Sequence, residues 1–266
     1  MNCDLMLSEL FIFQLFLSFI FGGFVVALSL YLAERFGVKF GTTLLSTPTT
    51  SLVSFLFMGI TNSVEFVLQT IPPALLSLSA TLIFVGVFIR FSEKLKKNTL
   101  GFSLIVWAFL AFFIIQYKSN DLQIPILIFF LIYLIMNIIF RKKNAKIELD
   151  KVKQSRKLFL YRAILAGFVI SMAVFLGKTF GPVWGGVFTM FPAAFSSSFF
   201  ILQKDHGIEK AVAFARSLIP PYVVFVFYAL AVYFSYPVLG LYLGTVISLL
   251  PTWILAYIIY LINSRT

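Results

Sequence analysis

Two clusters of hydroxyl side chains, each wrapped around a proline inside apolar sequence, hold the residues whose types and spacing suit chemistry. Ser46, Thr47, Thr49, Thr50, Ser51 and Ser54 surround Pro48, while Thr189, Ser196, Ser197 and Ser198 surround Pro192. A proline inside a helix removes a backbone donor and frees carbonyls, which lipid tolerates only where protein, hydroxyls or water can satisfy them. Hydroxyls beside an opened backbone can ligate a small polar solute or an ion; the plainer alternative is a kink with serine and threonine bonding back to their own helix. Arg216 lies seven residues beyond Glu209, roughly 10 Å along a helix, so its guanidinium either snorkels to water or binds an anion. Arg162 is nearer an edge and is expected to snorkel. Gln69 lies near the mirrored position, suited to a cavity or to a helix–helix hydrogen bond. The expected substrate-binding set is Thr47, Pro48, Thr49, Ser51, Gln69, Pro192, Ser196, Ser197 and Arg216.

Other chemistries lack their residues. Cys3 is the only cysteine and His206 the only histidine, which excludes a disulfide framework and a His/Cys metal cluster. His206, beside Lys204, Asp205 and Glu209, reads as a solvated loop histidine. No phosphate-binding glycine loop and no nucleophile with a partner base is present, and no acid falls at the centre of an apolar segment. The expectation is no enzyme, no cofactor, no metal and no simple carboxylate-driven proton antiport.

The elements that must position the hydroxyls are transmembrane helices. At 61 % hydrophobic and 12 % charged residues, with a mean hydropathy of +1.01, the chain lacks the polar side chains to cover a soluble surface. Its first apolar segment has neither a basic flank nor a small-residue cleavage site, so it reads as a span and not as a removed signal peptide. The net charge of +11 sits between apolar segments, where it sets orientation, and nucleic acid is excluded as a partner.

Runs long enough to cross a core of about 30 Å fall at 9–33, 37–60, 65–90, 100–117, 122–140, 158–177, 181–203, 209–235 and 237–262. Arg35, Lys39, Arg90, Lys94, Lys96, Lys97, the basic run from Arg141 to Lys157, Lys204, Lys210 and Arg265 then share one side, which predicts an outer N-terminus and a cytoplasmic C-terminus. The basic run reads as a topological anchor or a site for anionic headgroups.

The pattern also repeats. Phe36, Gly37, Gly41, Pro48, Ser54 and Phe55 match Phe180, Gly181, Gly185, Pro192, Ser198 and Phe199 at one offset, Gly23-Phe24-Val25 matches Gly167-Phe168-Val169 at the same offset, and Ile71-Pro72-Pro73 matches Ile219-Pro220-Pro221. Conserved breakers within apolar blocks indicate duplication. With spans 1 to 4 in one copy, 6 to 9 in the other and the fifth between them, the second copy enters from the opposite side. The fold class expected is therefore all-α, a polytopic membrane protein of about nine helices in a 4+1+4 inverted repeat: residues 1–117, a linking helix and basic linker at 118–157, and residues 158–266. Pro48 and Pro192 each lie eleven residues beyond their glycine, about 16 Å deep from opposite faces. The glycines are expected to pack helices closely, and the double prolines to kink the following spans.

Ala166-Gly167-Phe168-Val169, Gly185-Gly186, Phe191-Pro192, Gly207-Ile208-Glu209 and Ile219-Pro220-Pro221-Tyr222 together resemble the GlpM-like family of small, four-helix bacterial inner-membrane proteins. The similarity covers most of residues 158–262, and the first half follows it less closely, with Asn62-Ser63-Val64-Glu65 in place of the matching loop. The resemblance implies an inner-membrane location, a link to exopolysaccharide production and an antiparallel pair of units fused into one chain.

Inverted repeats with interrupted helices are a recurrent construction of secondary transporters. The functional expectation is a secondary transporter or lipid-linked flippase with a midplane site; the alternative is a non-transporting scaffold or assembly factor for envelope polysaccharide or lipid biosynthesis. Expected partners are membrane lipid and a small polar or anionic ligand, with a second copy of the chain as a candidate. Helix N-termini and the arginines favour an anion, and sodium held by carbonyls and hydroxyls is the opposing reading.

Overall fold

The computed structural model describes residues 9–35, 47–116, 121–140 and 156–265, and every regular element among them is helical. In chain order these are α1 (Glu9–Arg35), α2 (Thr49–Thr61), α3 (Val64–Leu95), α4 (Thr99–Ile115), α5 (Gln123–Phe140), α6 (Arg156–Phe180), α7 (Pro182–Thr189), α8 (Ala193–His206), α9 (Ile208–Leu218) and α10 (Val223–Arg265). Short 3₁₀ turns at Lys96–Asn98 and Pro220–Tyr222 join α3 to α4 and α9 to α10. Six segments of the described chain are long and apolar enough to cross a membrane. The chain is an all-α, multi-pass membrane protein.

Two of those segments are too long for one crossing. Val64–Ile115 runs 52 residues, about 78 Å if straight against a core of about 30 Å. It folds back at Lys96, whose φ is 47°, and α4 returns along α3. Phe91 and Phe102 meet at 5.3 Å, and Trp107 Nε1 donates to Thr81 Oγ1 at 2.9 Å. Pro220–Ile259 folds back within α10 at Gly240, where φ is 73°. Ser235 Oγ donates to the Gly244 carbonyl at 3.2 Å, and the Tyr236 and Thr245 hydroxyls lie 2.8 Å apart, contacts that nine residues of straight helix, about 13 Å, would forbid. The expected turn at residue 236 is thus displaced: helix continues through Tyr236 and Pro237, and the chain reverses where a glycine supplies the positive φ.

α3 forms the centre. Nearly every side chain from Thr70 to Ile89 is buried, with α4, α5, α7, α9 and α10 packed around it. α4 and α5 instead turn large apolar side chains outward, among them Ile105, Phe109, Leu127 and Ile138, as a lipid-facing wall does. α3 also corrects an expectation, because it runs unbroken through Pro72 and Pro73, whereas Pro220 and Pro221 occupy the 3₁₀ turn. Only the second double proline interrupts its helix.

α1 and α6 cross where their glycines remove side chains. A Cβ on Gly23 would overlap the carbonyl oxygen of Ala163, and a Cβ on Gly167 would overlap that of Phe19. As α1 runs from Phe19 to Gly23, its partners run from Gly167 back to Ala163, so the two helices are antiparallel. The contact is also reciprocal, since the offset that carries Gly23 to Gly167 carries Phe19 to Ala163. Gly185 likewise stacks on Gly177, and Gly186 brings α7 against the backbone of α3 at Thr70 and Ala74. Gly181 differs from the packing role expected of it: it precedes α7 with φ 97° and open space around it. Gly37 and Gly41 lie outside the described residues.

Candidate functional site

Pro48 and Pro192 each start a helix and shape the same turn. Their φ/ψ pairs, −77°/59° and −76°/44°, are close to one another and near the inverse γ-turn minimum. Thr49 N–H donates to the Thr47 carbonyl and Ala193 N–H to the Phe191 carbonyl, both at 2.8 Å; one turn later Leu52 N–H reaches the Pro48 carbonyl and Ser196 N–H the Pro192 carbonyl, again both at 2.8 Å. Upstream of Pro192 lies α7, so Pro192 breaks a span into two half-helices. The residues before Thr47 are outside the described set, and there the matching half-helix is not described.

Both turns open onto one cavity. Thr47, Pro48, Thr49, Thr50 and Ser51 line it from the first turn, and Pro192, Ala194, Phe195 and Ser198 from the second; about 70 Å³ is open to the centres of water molecules, room for roughly five. Val26, Ser29 and Leu30 of α1, Leu78 and Thr81 of α3, and Tyr222 complete much of the wall. Among the described residues no charged side chain lines it.

The carbonyl end of α7 faces this space and is capped from α3. Ser77 Oγ donates to the Val187 carbonyl at 2.8 Å and Thr81 Oγ1 to the Met190 carbonyl at 2.7 Å. This corrects the expectation that the flanking hydroxyls satisfy the break. Thr189 and Ser197 bond back to Gly185 and Ala194 in their own helices, and Ser51 reaches only the Met190 sulfur, at 3.4 Å. Trp107 supports Thr81 from behind and meets Phe191 edge-on at 4.9 Å. At the Pro48 turn, Trp253 Nε1 donates to Thr47 Oγ1 at 3.2 Å. A tryptophan of each half thus braces the proline turn of the other half. The matched phenylalanines behave alike: Phe55 lies 6.3 Å from Tyr228, and Phe199 lies 4.3 Å from Phe88.

Of the expected binding set, Thr47, Pro48, Thr49, Ser51 and Pro192 line the cavity. Ser196 and Ser197 lie within the first two turns of α8 but outside the lining, and Gln69 is exposed on α3 beside the buried Thr70. Arg216 also lies outside it. Phe214 and Leu218, two positions to either side, face the cavity, so Arg216 sits on the opposite face of α9, with its Nε buried and unpartnered. Arg162 is only 5 % exposed, which corrects the expectation that it snorkels into water. Ser77, Thr81, Trp107 and Trp253 brace the two proline turns by these hydrogen bonds, and the local pattern did not reveal them.

Residues 15–120 match the model of a family described as a protein of unknown function (DUF3147). No curated protein and no solved structure matches the chain. The matched stretch falls in the first half, whereas the motifs of the GlpM-like resemblance lie in the second.

Proposed function

We infer that the protein is a secondary transporter of nine spans, built from an inverted pair of four-helix units, residues 1–117 and 158–266, joined by a fifth span and a basic linker. The observation that carries this reading is the shared cavity: two proline-initiated helices from opposite halves begin at one hydroxyl-lined space within the bundle. Proteins that alternate a central site between two sides are often built so. The antiparallel, reciprocal crossing of α1 and α6 supports the inversion, and the match over residues 15–120 spans about one unit. Loop charge supports an outer N-terminus and a cytoplasmic C-terminus in the cell membrane. Contacts at the ends agree with that threading: Lys178 Nζ donates to the Thr61 carbonyl at 3.1 Å on the outer side, and Gln203 Nε2 to the Lys96 carbonyl at 2.9 Å on the inner. The size of the cavity favours a small solute over a whole lipid.

The test uses Cys3→Ser protein carrying Thr50→Cys or Ala194→Cys in sealed vesicles of either orientation, with a membrane-impermeant maleimide. Both cavity cysteines are expected to label faster than one on the lipid-facing wall at Phe109, from whichever side the site faces. Cysteines at 50 and 194 that stay unreactive from both sides describe a sealed core and favour the scaffold reading.

A further inference from the structure

The cavity has an imbalance of donors and acceptors. Most of its carbonyl end is spent: Val187 accepts from Ser77 and from Met190 N–H, Phe188 from Phe191 N–H, and Met190 from Thr81. Its amide ends are not. Neither α2 nor α8 has a side-chain cap, and of their first-turn amides only those of Thr49 and Ala193 bond to the turn carbonyls among the described residues. The amides of Thr50, Ser51, Ala194 and Phe195 therefore lie at two helix N-termini that open on one space, with no acceptor among the described residues, each end carrying the positive pole of its helix. An independent group supplies another donor. Ser198 lines the cavity, is only 9 % exposed, and its hydroxyl makes no hydrogen bond among the described residues. Its repeat mate Ser54 is fully buried with a hydroxyl that is equally unpartnered.

The geometry points to a small anion as the ligand, held between the N-termini of α2 and α8 by backbone amides and the hydroxyls of Ser198 and Thr50, without a cationic side chain. This rests on the transporter reading and names its substrate class. A sodium site needs several open carbonyls, and hydroxyls of α3 and local amides already occupy those of Val187, Phe188 and Met190. Arg216, on the far face of α9, plays no part in it. The same donors suit a free anion such as chloride or inorganic phosphate and the phosphate of a lipid headgroup. The enclosed volume favours the free ion.

Titration calorimetry on the purified full chain in a neutral detergent separates these cases, using sodium chloride, choline chloride, sodium phosphate and a short-chain phosphatidylglycerol. Binding is expected to follow the anion and to be indifferent to exchange of sodium for choline. Ser198→Ala removes one donor to a charge and weakens binding roughly tenfold or more; Ser198→Thr keeps it. Ala194→Asp places a carboxylate where the anion sits, a substitution a helix N-terminus favours, so the variant folds and no longer binds. Binding of the lipid alone, with the same response to these variants, assigns the anion to a headgroup. Binding that follows sodium and is lost in Ser198→Ala overturns the anion and leaves the transporter standing. No binding of any of these solutes, with cysteines at 50 and 194 that do label, overturns the anion alone; without labelling, both readings fall.

Discussion

Alanine at Gly23 and alanine at Gly167 are expected to destabilise the protein by like amounts, about 2–3 kcal/mol each. The two positions make the same contact from opposite sides. In each case the added methyl would overlap a backbone carbonyl, Ala163 or Phe19, and a backbone cannot rotate away as a side chain does. The crossing must open, and every contact along α1 and α6 loosens with it. The double variant should cost clearly less than the sum, because the first methyl has already separated the helices that the second would push apart. Gly22 is the control: its Cβ would meet Ile170 Cδ1 at 2.6 Å, the end of a side chain with other rotamers, so Gly22→Ala costs less. Thermal unfolding in detergent reads all four. A large effect at one glycine only, or full additivity, would contradict a shared crossing.

Thr81→Val is expected to cost about 2–4 kcal/mol, although valine nearly matches threonine in shape. The hydroxyl proton is shared between the Met190 carbonyl at 2.7 Å and the Ser77 carbonyl of its own helix at 2.9 Å, and the oxygen accepts from Trp107 Nε1; among the described residues Met190 and Trp107 have no substitute for it. Removing it orphans both in a site where Thr81 is 1 % exposed, at roughly 1–3 kcal/mol for each group left unsatisfied. Ser77→Ala is the contrast. Its acceptor, the Val187 carbonyl, keeps the Met190 amide, so that variant should lose under about 1 kcal/mol. Unfolding midpoints, with Trp107 emission as a local reporter, check the ranking, and Thr81→Ser should recover most of the loss.

The breakers carried most of what could be read from sequence. Proline and glycine act through their own backbone chemistry, so Pro48 and Pro192 pointed to interruptions of their spans, and the helices that begin after them share one turn geometry. Which face of a helix turns inward was not legible. Lipid is as apolar as a protein core, so no periodicity separated exposed Gln69 from buried Thr70, its neighbour. The partners of the break were hidden for a related reason. Thr81 and Met190 lie 109 residues apart, and Trp253 and Thr47 lie 206; only the packing of one half across the other brings them together. Pro72 and Pro73 show the limit of the breaker rule, since the same dipeptide is absorbed in α3 and interrupts the helix after α9. Gly240 shows another. The sequence offers Pro237 and Gly240 within four residues, and the chain turns at the one able to take a positive φ.

The inversion of the two halves is the central claim, and the loops after α2 and α8 test it most directly. Asn62 and His206 are related by the offset that joins Pro48 to Pro192, so an inverted pair must present them on opposite sides of the membrane. Single cysteines at these positions in the Cys3→Ser protein, treated with a membrane-impermeant maleimide in intact cells and again after permeabilisation, report the side of each. The expected result is labelling of Asn62→Cys in intact cells and of His206→Cys only after permeabilisation. Labelling of both from the same side would contradict the inverted repeat, and with it the shared site.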